Sequence, residues 1–268
     1  MKIKVSHEVP LAVLNISQTF NDYDYCLPHL LDSEYEYFKY FDQAKKDGRY
    51  IIMDNSLHEL GHAYETERLL HWVNYFEPNE FIVPDVWQDM QASIDNAAEW
   101  AKIKLPHYTT KVAVVQATNI EEAAECYLKY KSLGYKKIAF SYGAGYYKDH
   151  FKHPLPAIST AMGRVNVIGR LYDSGVIDTN DRVHLLGCAA PQEFLFHQNY
   201  PFIESIDTSN PIMAAMEDKM YKEHGLDEKP ITKIDHVMNR ASEDINWYAL
   251  HYNVNKFRKI NRLDKIIK

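Results

Sequence analysis

The chain has 268 residues, of which 46% are hydrophobic, 13% aromatic and 25% charged. This composition is typical of a globular protein with one large domain or two small ones, and it excludes a disordered chain. No apolar run approaches the roughly 18 residues of a membrane-spanning helix, so we expect no membrane partner. The start, MKIKVSHEVPLAVLN, lacks the apolar stretch and cleavage site of a signal peptide, so we expect it to be mature protein.

Three cysteines, Cys26, Cys126 and Cys188, lie far apart in the sequence. Their spacing argues against a disulfide framework and against a cysteine-rich zinc cage. A reducing cytoplasm is therefore the expected location.

Charge is distributed unevenly along the chain. The net charge of -7 argues against nonspecific coating of nucleic acid. The last segment, KFRKINRLDKIIK, nevertheless carries six basic residues and one acidic residue. It is either a solvated terminal helix or an arm that contacts phosphates. In the second interpretation the nucleic-acid-binding residues are Lys256, Arg258, Lys259 and Arg262.

Short apolar runs recur along the chain, each followed at once by a polar or small residue. Runs that are rich in Val and Ile and do not alternate are typical of strands buried on both faces. The predicted strands cover residues 11–14, 50–53, 81–84, 112–115, 137–140, 183–186 and 203–206. Between them, residues 92–104 and 120–134 show the apolar spacing near 3.6 that predicts helices.

Alternating strands and helices predict a parallel sheet of the α/β class, and several strand ends are about 30 residues apart, the length of one βα unit. Seven or eight such units predict a (β/α)8 TIM-type barrel over residues 1–212. A helical C-terminal extension with the basic tail is expected over 213–268. Residues 165–169 fit either the eighth strand or a helix from Ile158 to Asp173.

Polar and small residues follow the predicted strands. In this fold, active sites lie at the carboxyl ends of the strands. We therefore expect three carboxylates and an amide to face one another at a single mouth. An aspartate after a strand can instead cap the next helix. The strand-end residues are Asp54, Asp85, Gln116, Ser141, Gly187 and Asp207.

The segment 58–62 reads His-Glu-Leu-Gly-His, a literal HExxH motif. Two histidines on one helix face could bind zinc, with Glu59 as the base. The motif closely follows a predicted strand, whereas zinc proteases of this type carry it in a long helix. Glu65 and Arg68 also stand where the longer form of the motif needs a glycine and a ligand. A zinc hydrolase remains an alternative, but we assign no metal and expect no cofactor.

Five segments, taken in order and with their spacing, resemble a known family. It is that of the queuine/archaeosine tRNA-guanine transglycosylases, and the resemblance is closer to their short, phage-encoded relatives that modify DNA. It extends from about Ile51 to Pro211, about 60% of the chain. The segments are YIIMDNSLHELG, FIVPDVWQDMQASIDNAAEWAK, VAVVQATNIEEAAECYLKYKSLGYKKIAFSYGAG, VHLLGCAAPQEF and SIDTSNP.

The resemblance implies a covalent exchange of bases. Asp207 would be the nucleophile that attacks C1′ of a guanosine nucleotide, releasing guanine and forming a glycosyl-enzyme. A 7-deazaguanine, preQ0 or a derivative, would then displace the enzyme with overall retention. Asp54 would be the acid/base that protonates the leaving base and deprotonates the incoming one.

The resemblance also implies a set of residues that bind the base. Asp85 and Gln116 would read the base edge, with the carboxylate accepting from N1–H and the exocyclic amine and the amide facing O6. Gly143 would let the backbone approach the ring, and Gly187 would keep the floor of the site open. Ser141 is a weaker candidate.

Departures from the family pattern bear on the polymer. The tRNA enzymes carry a Cys-x-Cys-x-x-Cys…His zinc site after the nucleophile, and nothing like it follows Asp207. DNA is therefore the expected partner, and a tRNA-directed enzyme is the first alternative. The location would be the host cytoplasm if the chain is phage-encoded. A degenerate barrel that serves only as a binding subunit is a further alternative.

Overall fold

The computed structural model describes residues 3–105 and 108–263. Within them, eight strands form one sheet with the order β1-β8-β7-β6-β5-β4-β3-β2. The pairs β1–β8, β2–β3, β3–β4, β4–β5 and β5–β6 are all parallel. The strands are β1 Lys4–Ser6, β2 Asp24–Cys26, β3 Ile51–Met53, β4 Glu80–Ile82, β5 Thr110–Val115, β6 Lys137–Ser141, β7 Val183–Leu186 and β8 Ile203–Asp207.

Helices alternate with these strands. The α-helices of the described residues are α1 Leu14–Ser17, α2 Pro28–Ser33, α3 Tyr35–Lys46, α4 Leu57–Leu60, α5 Thr66–Phe76, α6 Met90–Lys102, α7 Ile120–Ser132, α8 Tyr147–His150, α9 Pro156–Asp173, α10 Phe194–His197, α11 Asn210–Met216 and α12 Trp247–Ile260. Short 3-10 turns cover Leu11–Val13, Pro191–Glu193, Ile234–His236 and Ser242–Asp244.

The alternation and the parallel sheet confirm the predicted α/β class and the (β/α)8 TIM-type fold. Each of the two predicted helices, α6 and α7, begins after a residue whose side chain caps its amino end. Asp89 caps α6 by accepting from the Ala92 N–H at 2.9 Å, and Asn119 caps α7 by accepting from the Glu122 N–H at 2.8 Å. Helices are also present after β8, as the sequence predicted.

The prediction of a strand at residues 11–14 was wrong. Leu11–Val13 is a 3-10 turn and continues into α1. Pro10 fixes the backbone before it, and the Val13 N–H donates to the Pro10 carbonyl at 2.9 Å, so the run closes a turn. The other six apolar runs overlap strands β3 to β8.

The first two strands of the sheet were not predicted. β1 and β2 have three residues each, too few for a periodic signal. The ambiguous run at 165–169 lies within helix α9, so the second of its two interpretations is confirmed.

The chain divides into two compact units. One unit takes in Tyr23–Phe140 and Asp181–Val183. Aromatic rings of α3 and α5 pack against one another, and the half-buried Phe38 lies 5.8 Å from Trp72 and 6.1 Å from Phe76 between centroids. We call it the β2–β6 unit.

An ion network lies at the amino ends of strands in the β2–β6 unit. Glu80, at the start of β4, accepts from Lys137 Nζ at 2.6 Å and from Arg182 Nη2 at 3.0 Å. The Tyr50 hydroxyl donates to the same carboxylate at 2.7 Å. Lys137 and Glu80 are both 1% exposed, so the charges are compensated inside the unit.

The other unit takes in the chain up to Asp22, Ser141–Asn180 and the chain from His184 onward. Helix α12 buries Leu250, Val254 and Phe257, and the Phe257 ring meets the His7 ring edge-on at 5.0 Å. Helix α9 approaches helix α8 so closely that a Cβ on Gly163 would lie 2.0 Å from the Tyr147 carbonyl oxygen. We call it the terminal unit.

Candidate active site

The carboxylate of Asp207 lies at the end of β8 in the terminal unit and is held through both oxygens. Oδ1 lies 2.9 Å from His184 Nε2, and Oδ2 accepts from the Gly187 N–H at 3.2 Å. Ser6 of β1 is the register partner of Asp207, so its side chain lies on the same face of the sheet. Asp207 is therefore an oriented, buried carboxylate at a strand end.

His184 links Asp207 to the interior of the terminal unit. Its ring is fully buried, and Nδ1 lies 2.8 Å from the Ser205 hydroxyl. Because a carboxylate only accepts, we assign the proton to Nε2, which leaves Nδ1 to accept from Ser205. The array contains the residues of a hydrolytic triad, but Ser205 lies two residues deeper in β8. The carboxylate, rather than the hydroxyl, is therefore the group at the strand end.

Gly187 begins the turn after β7 with a backbone that favours glycine. Its φ is +59°, and a Cβ there would lie 2.4 Å from Cδ1 of Tyr142. Lys229 Nζ lies 3.9 Å from the centroid of the Tyr142 ring and also contacts its hydroxyl. Gly187 therefore lies directly against Tyr142, so the residue predicted to keep the floor of the site open contacts an aromatic ring.

A buried arginine fixes the same turn. Arg164 of α9 donates to the carbonyls of Leu186 and Gly187 at 2.9 and 2.8 Å. Glu193 balances its charge at 2.6 Å, and both side chains are fully buried. Arg164 thus holds the peptide groups before and after Gly187, and the first of these carries the N–H that donates to Asp207.

Asp54 follows β3 in the β2–β6 unit. Its Oδ1 accepts from the Tyr25 hydroxyl and its Oδ2 from the Ser56 N–H, both at 2.9 Å. Burial raises the pKa of Asp54, while the Tyr25 hydroxyl and the backbone N–H groups that follow oppose the rise. Ser56 has a φ of +60° and its hydroxyl lies 2.7 Å from His29 Nδ1. The site thus holds a carboxyl group whose pKa is shifted toward neutrality.

Asp85 follows β4 and is bracketed by two side-chain amides. Asn55 Nδ2 donates to Oδ1 at 2.6 Å, and Gln116 Nε2 donates to Oδ2 at 2.5 Å. Burial raises the pKa of Asp85 to about 6 against the lowering effect of both amides, and the nearby charge of Asp54 adds to the rise. Asp54, Asp85 and Gln116 therefore form one polar cluster, as their strand-end positions suggested.

Gln116 uses both ends of its amide within this cluster. Its Oε1 accepts from the Gln88 N–H at 2.9 Å, while its Nε2 bonds to Asp85. Each end of the amide makes one of the two hydrogen bonds that it can make, so a base can bond to Gln116 through the second N–H or the second lone pair.

The remaining predicted base-binding residues, Ser141 and Gly143, lie at the end of β6 and just after it. The Gly143 N–H lies 3.5 Å from the Ser141 hydroxyl oxygen, at the outer limit of a hydrogen bond. Both belong to the terminal unit together with Gly187 and Asp207. The expectation that all strand-end residues share one mouth stays a prediction.

The predicted nucleic-acid-binding residues differ in exposure. Lys259 and Arg262 are exposed, and Lys256 is half-buried. Arg258 is 3% exposed, and its guanidinium contacts the Phe20 carbonyl and lies 3.1 Å from Asp22. It therefore packs inside the terminal unit and does not present a charge at the surface. The basic residues Lys265 and Lys268 lie outside the described residues.

The HExxH segment does not form a long helix. Helix α4 has four residues, and Gly61 ends it with a φ of +77° before His62 is reached. The His62 Nδ1 lies 3.0 Å from the Ala63 carbonyl oxygen. In the ranges 3–105 and 108–263, no group of three His, Cys, Asp or Glu side chains is placed to hold a metal ion.

Sequence reasoning missed His184, Ser205, Tyr25 and Asn55, which position the carboxylates. The signal for two of them was present. His184 is a polar residue within the apolar run of β7. Ser205 lies two residues before Asp207 in β8, so these two side chains lie on the same face of the strand. Tyr25 lies on a strand too short to predict.

No protein-family model matches this chain, and a search of curated proteins finds no match. No helix among the described residues is long and apolar enough to span a membrane.

Proposed function

We propose that the protein exchanges guanine in DNA for a 7-deazaguanine such as preQ0, through a covalent glycosyl-aspartate. The observation that carries the proposal is the carboxylate of Asp207. It lies at a strand end of a (β/α)8 fold, with one oxygen held by His184 and the other by the Gly187 N–H. A carboxylate fixed in this way is suited to nucleophilic attack at an anomeric carbon. The identity of the reaction comes from the resemblance in the sequence.

In the proposed reaction, an oxygen of Asp207 bonds to C1′ as the C1′–N9 bond to guanine breaks. The electron pair of that bond leaves with the base, which takes up a proton. The incoming 7-deazaguanine loses its N9 proton and attacks C1′, and the bond to Asp207 breaks. Two displacements at one carbon restore the original configuration.

The proton transfers are assigned to Asp54. Burial raises the pKa of its carboxyl, which favours the protonated form that can give a proton to the leaving base. The hydrogen bonds from Tyr25 and Ser56 orient it. These two bonds also stabilise the ionised form, so that the group can both give and take a proton.

Recognition of the base is assigned to Asp85 and Gln116. A carboxylate that accepts from N1–H and the exocyclic amine, beside an amide that donates to O6, complements guanine and its 7-deaza analogues. In the free protein the two side chains bond to each other at 2.5 Å. A base would take the place of this contact, and the amide of Asn55 would still hold Oδ1 of Asp85.

The proposal is tested by incubating the protein with radiolabelled preQ0 and either guanine-containing DNA or tRNA, and counting label in the polymer. We expect label in DNA, and we expect Asp207→Asn and Asp54→Asn to abolish it. Asp149→Asn is the matched control because its carboxylate is exposed and its ion pair is with Lys152, three residues along the chain. The control should retain full incorporation.

Incorporation by Asp207→Asn at the rate of the unsubstituted protein would overturn the assignment of the nucleophile. Label only in tRNA would keep the chemistry and change the polymer. Absence of label in both polymers would contradict the proposed reaction. The covalent step has its own readout, since denaturing electrophoresis of the reaction with DNA should show a protein–DNA adduct that Asp207→Asn does not form.

A further inference from the structure

The turn after β4 displays an indole at the surface of the β2–β6 unit. Trp87 is 44% exposed, and Val86 beside it is 37% exposed. The turn begins at Asp85, so the indole lies two residues from the carboxylate assigned to base recognition. We propose that Trp87 is a stacking platform for an unpaired nucleobase next to the one bound at Asp85.

Hydrogen bonds hold this turn in one conformation. The Val86 N–H donates to the Ser93 hydroxyl at 2.9 Å, and that hydroxyl donates back to the Val86 carbonyl at 3.1 Å. The Asp89 N–H closes the turn on the same carbonyl at 3.1 Å, and Asp89 then caps α6. Trp87 is thus exposed on a fixed turn, and stacking on it would cost little conformational entropy.

The backbone beside the indole is also unusual. Gln88 has a φ of +54°, where a turn normally carries glycine or asparagine. Its N–H donates to Gln116 Oε1, and the Nε2 of the same amide bonds to Asp85. Gln116 therefore holds both the backbone of the turn and the carboxylate, which fixes the turn that carries Trp87 relative to Asp85. Unfavourable backbone conformations that are held in this way are found at ligand sites.

The side chains of the turn favour binding of the flat face of a nucleobase over binding of a phosphate group. Its charged side chains, Asp85 and Asp89, are both acidic and would repel a phosphate. An indole stacks on any base, and such contacts typically change affinity by roughly 5- to 150-fold per base. A target base that leaves its helix exposes the faces of its neighbours, which provides the unpaired ring. The inference rests on the proposed function, because it takes the bound polymer to be nucleic acid.

The test is a titration of the full chain with a single-stranded oligothymidylate, which contains no guanine, and separately with guanosine. Stacking on an indole quenches its fluorescence. We expect the oligothymidylate to quench the unsubstituted protein, and Trp87→Phe to remove most of that quenching while it keeps most of the affinity. Trp87→Ala should bind about tenfold more weakly by anisotropy. Tyr248→Ala, which removes a 72%-exposed aromatic ring from α12, should bind normally.

Equal binding by Trp87→Ala and the unsubstituted protein would overturn the inference. So would quenching by guanosine without quenching by oligothymidylate, since the stacked ring would then be the target base, and so would an absence of quenching by either. An exchange assay on the same samples separates this result from the proposed function. Binding that depends on Trp87, without exchange, would contradict the proposed reaction and support the stacking role of Trp87. Exchange with binding that does not depend on Trp87 would support the reaction and contradict the stacking role.

Discussion

The imidazole Nε2 of His184 lies 2.9 Å from Oδ1 of Asp207, and both side chains are buried. The imidazole also connects to the Ser205 hydroxyl at 2.8 Å. A side chain that is fixed at both of its nitrogens cannot turn away from the carboxylate without leaving a buried group unpaired. His184 is therefore the positioning residue for Asp207.

We expect His184→Gln to lower kcat of the proposed exchange about 100-fold with little change in KM. The shorter amide does not span the gap between Ser205 and Asp207, and a misplaced reacting group costs about this factor. Steady-state kinetics with labelled base measure both constants. His251→Gln, at an exposed position on α12, is the control. Unchanged kcat in a folded His184→Gln would show that the carboxylate is oriented without it.

The raised pKa of Asp85 predicts a pH-dependent stability. With a pKa of about 6 in the folded protein and 3.8 as the ordinary value, the folded state binds the proton more tightly. The contribution of this group to the free energy of unfolding therefore falls as the pH rises from about 4 to 6, by on the order of 3 kcal/mol. Asp85→Asn does not titrate, so the variant should gain stability relative to the unsubstituted protein over this range.

Urea unfolding of both proteins at several pH values between about 4 and 7 measures this difference, and contributions common to both proteins cancel. A difference that stays constant with pH would contradict the buried, hydrogen-bonded environment of Asp85.

The buried pair of Arg164 and Glu193 predicts non-additive effects on stability. Arg164→Met leaves the Glu193 carboxylate buried without its partner and should lower the free energy of unfolding by about 3–5 kcal/mol. Arg164→Met with Glu193→Leu removes both charges and should recover most of that loss. Denaturant unfolding of the two single variants and the double variant gives the coupling energy. Strict additivity would contradict a direct charge pair.

The basic residues near the C-terminus should fall into two groups. Lys259→Ala and Arg262→Ala should each reduce the slope of log K against log salt by about 0.7–0.9 if the side chain contacts a phosphate. Arg258→Ala should instead lower the free energy of unfolding, because the guanidinium binds Phe20 and Asp22 in the interior. Anisotropy titrations of a labelled oligonucleotide over a salt series measure the slopes. An unchanged slope for both exposed residues would identify a solvated helix.

Much of the fold could be predicted from sequence because β3 to β8 each overlap a short, largely apolar run that is followed by a polar or small residue. The strand-end rule then placed Asp54, Asp85 and Gln116, which lie together. Strands of three residues give no such signal, and β1 was concealed by a basic start. The strand prediction at 11–14 was wrong because composition does not reveal whether the backbone N–H groups bond to a neighbouring strand or close a turn.

The site was less predictable, since position in a strand does not fix what a side chain bonds to. Nothing in the sequence indicated that Gln116 bonds to both Asp85 and the backbone of Gln88. The burial of Arg258 was predictable in principle. It lies four residues after Val254 and one after Phe257, on the apolar stripe of α12, so the helical period places it inside.

The ion network around Glu80 bears on which parts of the β2–β6 unit can be altered by substitution. It ties the starts of β4 and β6 to Arg182 and Tyr50, at the end of the β2–β6 unit opposite the turn that carries Trp87. These contacts lie at the starts of the strands and take no part in the proposed recognition of a base. We therefore expect the side chains of the turn between Asp85 and Asp89 to be replaceable without disturbing this network, so that a different turn sequence would give the proposed site a different ligand preference.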